Sequence, residues 1–226
     1  MKETIIISLG GSLIVPEEVD VGFLNDFKKI ILEQVSEGKN FVISTGGGKI
    51  CRKYQDSAKA LGEVSNNDLD WIGIASLRLN AELLRVVFGE FAHSEVIHNF
   101  TEKFSADKPI IITSAYKPGH STDYGAILVA KTLGAKKVIN LSNIDYVYDS
   151  DPKTNSDAKK IEEISWKDYM ALIPTEWSPG LSSPFDPVAS KMAEENNIEV
   201  VIMNGKPIEN LENYFKGNSF VGTTIK

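Results

Sequence analysis

The strongest constraint in this sequence is a unit that recurs along it: a short apolar run, a glycine-bearing loop, then a stretch with helical spacing. The first run, Thr4–Leu9 (TIIISL), is nearly all apolar, the pattern of a strand covered on both faces rather than one. It stops at Gly10-Gly11-Ser12. Residues 41–44 (FVIS) repeat the pattern and stop at Gly46-Gly47-Gly48, and residues 110–113 (IIIT) lead into a loop holding Pro118-Gly119. Helical periods fill the intervals. Residues 21–37 place Phe23, Leu24, Phe27, Ile30 and Ile31 on one face, with Gly38 as a stop, and helices are also expected at 49–61 and 67–87. The apolar face of the last is read as Leu69, Ile72, Leu79 and Leu83. Val96-Ile97 reads as a short strand. Helix 122–133, strand 137–141, helix 165–173, helix 187–196, strand 199–203, helix 208–215 and a last strand near 220–225 complete the alternation. Two stretches interrupt it: 143–159, polar and rich in Pro and Asp, is expected to be a long loop, and 175–184, rich in Pro, Gly and Ser, a mobile one. Strands buried on both faces need helices on both sides. The expectation is therefore an α/β three-layer sandwich around a mostly parallel central sheet, one domain over residues 1–226. Ligands of such sheets gather at the carboxyl ends of the strands, where all three glycine loops fall.

The charge balance narrows the ligand classes. Among 226 residues, Lys+Arg number 24 against 31 Asp+Glu, a net charge of −7. Binding to nucleic acid or to an anionic membrane rests on basic surface, so neither is expected as a partner. The single cysteine, Cys51, permits no intrachain disulfide, and the three histidines form no Cys/His cluster. No metal site built by the protein is therefore expected. The apolar run Ile5–Ile7 is far shorter than a membrane span or a signal segment needs, so a cytoplasmic location is expected.

Glycines after a buried strand let backbone N–H groups approach an anion with no Cβ in the way, although any one Gly pair is equally well a tight turn. Three such loops converging at strand ends favour an anion site. The common phosphate signatures are absent: Gly48-Lys49 is followed by Ile50 rather than Ser or Thr, and no G-x-G-x-x-G follows a strand. Arg52, one turn past Gly46–Gly48, has the forked donor geometry for phosphate, while Lys49 is equally compatible with solvent. In Pro118-Gly119-His120-Ser121-Thr122-Asp123, Ser121 or Thr122 is a natural helix N-cap, and the same hydroxyls could hold phosphate. The segment from Asn143 to Pro152 gathers acids with Tyr146 and Tyr148. It is compatible with turns alone or with a nucleoside contact, and it lacks the glycine of a calcium loop.

Taken in order, these segments resemble the amino acid kinase superfamily and, within it, the archaeal-type uridylate kinase branch. The matching pieces are Gly10-Gly11-Ser12, Gly46-Gly47-Gly48-Lys49-x-x-Arg52, Asp70-Trp71-Ile72-Gly73-Ile74 with Arg78-Leu79-Asn80-Ala81, the 118–123 loop, Asn143-Ile-Asp145-x-Val-Tyr148-x-x-Asp151-Pro152, Phe185-Asp186-Pro187-x-Ala189, and Gly222-Thr223-Thr224-Ile225. The resemblance implies transfer of the γ-phosphoryl of ATP to UMP with Mg²⁺, by a homo-oligomer that is often hexameric. It implies an acceptor site of Gly47, Asp70, Tyr116, Lys117, Pro118, Gly119, His120, Ser121 and Thr122, with Asp70 facing the ribose. It implies a donor site of Gly11, Ser12, Gly48, Arg52, Ser142, Asn143, Tyr148 and Asp151, with Gly11, Ser12 and Arg52 as the catalytic group. The N-terminal part would thus serve mainly the acceptor and the C-terminal part mainly ATP. The chain departs from the superfamily pattern at Ser8 and Ser183, where many members carry Lys, at Ser114-Ala115, usually Gly-Gly, and at Tyr146, usually Gly. Two rivals follow from these departures: a kinase of the same fold acting on another small acceptor such as isopentenyl phosphate, and a non-catalytic nucleotide-binding or storage subunit.

Overall fold

The computed structural model describes residues 3–101, 107–115, 117–175 and 183–226. The strands are β1 (Thr4–Leu9), β2 (Asn40–Thr45), β3 (Ile110–Thr113), β4 (Lys137–Ser142), β5 (Val147–Tyr148), β6 (Lys160–Ile161), β7 (Glu163–Ile164), β8 (Glu199–Asn204) and β9 (Gly222–Ile225). The helices are α1 (Gly11–Ile14), α2 (Val21–Ser36), α3 (Gly48–Leu61), α4 (Asn66–Phe88), α5 (Thr122–Leu133), α6 (Trp166–Leu172), α7 (Pro187–Glu195) and α8 (Glu209–Phe215). Seven strands form one sheet in the order β3-β2-β1-β4-β8-β9-β7. The first five run parallel, β9 lies antiparallel to β8, and β7 runs parallel to β9.

Side chains alternate across a strand, so each central strand feeds two cores. Ile7, Leu9, Phe41, Ile43, Ile139 and Leu141 pack with Phe23, Phe27 and Ile31 of α2 and Leu84 and Phe88 of α4. Ile6, Val42, Val138 and Val200 pack on the other face with Ala126 and Ile127 of α5, Tyr169 of α6 and Ala189 of α7. Burying a side chain such as Phe27 contributes roughly 1.5–3 kcal/mol. This two-sided burial is the three-layer sandwich expected from the continuous apolar runs.

Several details differ from the sequence reading. The apolar face of α4 is Leu69, Ile74, Ala81, Leu84 and Phe88, whereas Leu79 is 62% exposed, on the opposite side with Trp71 and Val86. Both faces of this helix carry apolar residues, so spacing alone did not select the buried one. Val96-Ile97 forms no strand: only isolated bridges join Ala92 to Ile110 and Ile97 to Thr113. The 143–159 loop contains β5, which pairs with β6, and Thr223 Oγ1 of β9 accepts a hydrogen bond from Val147 N–H at 2.8 Å. Of the 175–184 stretch, residues 176–182 lie outside the described residues. Among the described residues no helix is long and apolar enough to cross a membrane.

Candidate active site

The site grows from a single row of the sheet. Thr113, Ser44, Ser8 and Asn140 are neighbours in register across β3, β2, β1 and β4. Alternation with Val42, Ile6 and Val138 turns the last three toward α5. Ser44 and Thr113 share a hydrogen bond of 2.6 Å. Ser8 and Asn140 both donate to Oδ1 of Asp123, at 3.2 and 2.9 Å. Asp123 is the second residue of α5, whose N-cap Ser121 accepts from Tyr124 N–H at 3.0 Å. Its other oxygen accepts from Asp186 N–H at 3.3 Å, and the Asp186 carboxylate in turn caps α7 through Ala189 N–H at 2.7 Å. Half-buried as a residue, Asp123 has its carboxyl turned inward. Burial first, and the neighbouring Asp186 second, push it up to about 7, against the pull of the three hydrogen bonds. Neither position where a superfamily lysine would fall supplies a cation: Ser8 donates to Asp123, and Ser183 donates to the Phe185 carbonyl at 2.8 Å.

On the other side of the β1 terminus the backbone itself does the joining. Gly11 lies so close to the second glycine loop that a Cβ on it would sit 2.0 Å from Gly48 N and 2.5 Å from Gly46 C. Gly48 adopts a φ of +69°, and a Cβ there would meet the Gly11 carbonyl at 2.5 Å. Asn80 of α4 pins the junction by donating to the Gly46 carbonyl at 2.8 Å. Two of the expected phosphate donors are spent on this architecture: Gly10 N–H bonds Leu141 O at 2.7 Å, and Gly46 N–H bonds Leu9 O at 2.9 Å. Gly11 and Ser12 open α1, and Gly47 and Gly48 start α3, so their N–H groups belong to the turn that a helix leaves unpaired. Lys49 pairs with Glu17, and Lys53 reaches the same carboxylate at 3.4 Å, which leaves Arg52 as the cation of α3 that lines the cleft.

That cleft, of about 350 Å³, brings together Gly47, Gly48, Arg52, Asp70, Lys117, Pro118, His120, Ser121 and Thr122. Asp70 accepts a hydrogen bond from Gly119 N–H at 2.8 Å, so the α4 carboxylate holds the 118–122 loop in place. It does not cap α4, which is the work of Ser65 with Asp68. The His120 ring stacks on Tyr124 with centroids 4.2 Å apart, and burial, followed by the nearby Lys117, holds its imidazole below the ordinary value. Cys51 also lines the cleft, its thiol pushed up by burial. Tyr116, expected in this group, lies outside the described residues.

The expected donor residues are less gathered. Ser142 follows Leu141 at the carboxyl end of β4, its Cα 3.4 Å from a Cβ built on Gly10, and its Oγ accepts from Ile144 N–H at 3.2 Å. Asn143, Tyr148 and Asp151 lie along the β5 excursion and do not line the cleft. Asp151 Oδ1 accepts from Lys153 N–H at 2.9 Å, an Asx turn. Tyr146 lies beneath the Lys160 ammonium, 4.8 Å from the ring centroid. Sequence reasoning gave no role to Asp123, Asp186 or Asn80. The available signals were a buried Asn on the apolar face of a helix and an acid in the first turn of α5.

Residues 3–204 match the amino acid kinase family. The chain is 35% identical over 224 residues to the uridylate kinase of Methanobrevibacter smithii, covering 98% of each chain. It is 35% identical over 227 residues to the uridylate kinase of Thermococcus kodakarensis, covering 98% of this chain and 99% of the relative. Among solved structures, the uridylate kinase from Archaeoglobus fulgidus aligns over the full length of both chains with a TM-score of 0.82 at 34% identity.

Proposed function

The chain belongs to the amino acid kinase family, and from that premise we propose that it transfers the γ-phosphoryl of ATP to UMP, giving UDP and ADP. The observation that carries the reading is the interlocked backbone of Gly11 and Gly46–Gly48, with Arg52 one turn on and Asp70 and the 118–122 loop in the same cleft. Phosphoryl transfer needs its two phosphates brought into line and their charge offset, more than it needs covalent chemistry. The acceptor phosphate is already an anionic nucleophile, so the site requires no general base. Arg52 supplies a bidentate cation, and the N–H groups of Gly11, Ser12, Gly47 and Gly48 supply fixed donors that need no reorganisation as charge develops. Mg²⁺ would enter as part of Mg·ATP, held by phosphate oxygens and water rather than by a protein cage.

In this reading the cleft takes UMP, with Asp70 at the ribose, and Gly11, Ser12, Gly48, Arg52, Ser142, Asn143, Tyr148 and Asp151 serve ATP. The N-terminal part of the one domain serves mainly the acceptor and the C-terminal part mainly the nucleotide donor. The reading includes a homo-oligomer, a hexamer by resemblance. Exposed Tyr54 and Leu61 on α3 and Trp71, Leu79 and Val86 on α4 support it, as apolar surface suited to a second copy. The test of function is ADP release from Mg·ATP with UMP, CMP, AMP or isopentenyl phosphate as acceptor. UMP is expected to be fastest; no stimulation by UMP, or equal stimulation by all four, overturns the assignment.

A further inference from the structure

At the amino ends of the strands, opposite the glycine loops, the core is left partly open. Lys137 and Glu199 are neighbours in register across β4 and β8, and alternation with Ile139 and Val201 turns both toward the layer of α2 and α8. Helix α8 is seven residues long and ends at Phe215. Ile5, Tyr214, Phe215 and Phe220 pack against that core yet stay only half-buried. With Ile139 they line an open pocket of about 790 Å³, within the roughly 300–1,000 Å³ usual for small-molecule sites. Its rim carries Lys39, Lys136 and Lys137 against Glu3 and Glu199, an excess of positive charge on a chain of net charge −7. Cations and rings stand side by side: Lys39 Nζ lies 5.7 Å from the Phe215 centroid, and Lys137 Nζ 5.8 Å from that of Tyr214. Lys39 is held by Gln34 and Glu37. The other two are held loosely. Lys137 pairs with Glu199 at 2.8 Å and Lys136 donates to the Asn196 carbonyl at 3.0 Å, both at the exposed surface, where such pairs contribute little.

We propose that this pocket is a second ligand site, for a planar aromatic anion, with its ring against Tyr214, Phe215 and Phe220 and its phosphate or carboxylate between the ammonium groups of Lys136 and Lys137. Aromatic side chains give a planar ring stacked or edge contacts over an apolar floor, here Ile5 and Ile139. A lysine ammonium is a compact point charge, so it meets a phosphate or a carboxylate alike. An anion without a ring leaves the aromatic wall unused, and a ring without charge leaves the lysines on their weak partners. The pocket shares no lining residue with the cleft of Arg52 and Asp70. The length of β1, roughly 17 Å, separates it from the glycine loops. The site is therefore independent of the acceptor used in the kinase reaction.

The test is calorimetric titration of the full chain with 1-naphthyl phosphate, 1-naphthoate, 1-naphthol and pyrophosphate. At least one of the two naphthyl anions is expected to bind, and naphthol and pyrophosphate about tenfold more weakly or not at all. Replacing Lys136 and Lys137 together by Ala should weaken the naphthyl anion about tenfold or more, through loss of two charge-assisted contacts. Replacing Lys59 and Lys131, exposed lysines elsewhere, removes the same net charge and should change binding less than twofold. Binding should also survive Arg52→Ala, which disables the cleft. Lys136→Ala alone gives up one bond to a backbone carbonyl, and should weaken binding about threefold with an unchanged melting temperature. This variant keeps the test decisive where the double one folds poorly. Tighter binding of the phosphate than of the carboxylate identifies the ligand as a phosphorylated aromatic such as a nucleotide, and the reverse order as an aromatic acid. The second site is overturned by absence of binding for both naphthyl anions, by equal loss in the Lys59 and Lys131 control, or by binding that is lost in Arg52→Ala and kept in the Lys136 and Lys137 variant.

Discussion

Two junctions meet at the end of β1, three residues apart, and they are built from opposite materials. At Gly11 the chain joins its second glycine loop backbone to backbone, with no side chain between. At Ser8 it joins α5, β4 and the start of α7 through contacts gathered on the Asp123 carboxylate, which accepts from the Ser8 and Asn140 side chains and from the Asp186 N–H. The first junction has nothing to titrate and leaves no room for any group beyond hydrogen. The second carries an acid whose charge depends on pH near neutrality. The glycine junction is thus fixed by sterics, whereas the Asp123 cluster depends on a proton.

The largest expected effect tests the steric side. Gly11→Ala places a methyl 2.0 Å from Gly48 N and 2.6 Å from Gly46 O, all backbone atoms that can yield only by parting the loops. It should cost several kcal/mol of stability and abolish measurable turnover. Gly22→Ala, in the first turn of α2, meets nothing closer than an Asp20 carboxylate oxygen at 3.5 Å and should be neutral or stabilising by up to about 1 kcal/mol. Chemical denaturation of both variants checks the pair. Equal stabilities would remove the steric account of the junction.

The next effect tests the proton. The folded-state pKa of Asp123, about 7, lies above its ordinary 3.8, so the folded chain holds this proton more tightly than the unfolded chain. The resulting stability is fully present below about pH 4 and is lost as pH rises toward 7. Asp123→Asn cannot ionise. Relative to the unmodified chain it should therefore gain stability between pH 4 and pH 8, on the order of a few kcal/mol. Urea titrations at the two pH values measure the difference, and a parallel pH dependence for both proteins would mean that the carboxyl titrates normally.

Arg52 stands on the steric side yet acts by charge. In the proposed reading Arg52 grips phosphate mainly in the transition state, so on its replacement by Ala turnover should fall roughly 10²-fold, about 2.7 kcal/mol. Helix α3 should not weaken, since Ala is the better helix former. Near-normal turnover would return Arg52 to the role of a solvated surface cation.

These two junctions also separate what could be read from the sequence from what could not. The glycine junction was legible because its parts are local: Gly10-Gly11 and Gly46-Gly47-Gly48 each follow an apolar run directly, and the run gives the strand. The parallel sheet was legible for the same reason. The Asp123 cluster is assembled from residues 8, 123, 140 and 186, and only the register of β1 with β4 makes neighbours of Ser8 and Asn140. Seen singly, each is an ordinary polar residue near a strand or helix end. The same limit applies to α4, where Trp71, Leu79 and Val86 place apolar residues on the exposed face as well as the buried one. The pairing of Asp70 with Gly119 N–H needs the 49-residue closure that the fold provides.

That pairing sets up the smallest effect and the finest test. Asp70 belongs to both materials: its side chain fixes a backbone N–H, and in the proposed reading the same carboxylate meets a ribose. Asp70→Asn keeps an acceptor oxygen for Gly119 but loses the charge. A charge-assisted hydrogen bond is worth about 1.5–3 kcal/mol, so KM for UMP should rise about tenfold or more. KM for ATP should move little, because the proposed donor residues lie on other loops. If Asp70 served only to hold the 118–122 loop, the amide, which keeps an acceptor oxygen for Gly119 N–H, would largely preserve that bond, and neither constant would change. Steady-state kinetics with each substrate varied in turn distinguishes the two. A rise confined to UMP assigns the carboxylate to the acceptor, and an unchanged UMP constant leaves Asp70 as a loop anchor and takes the ribose contact out of the mechanism.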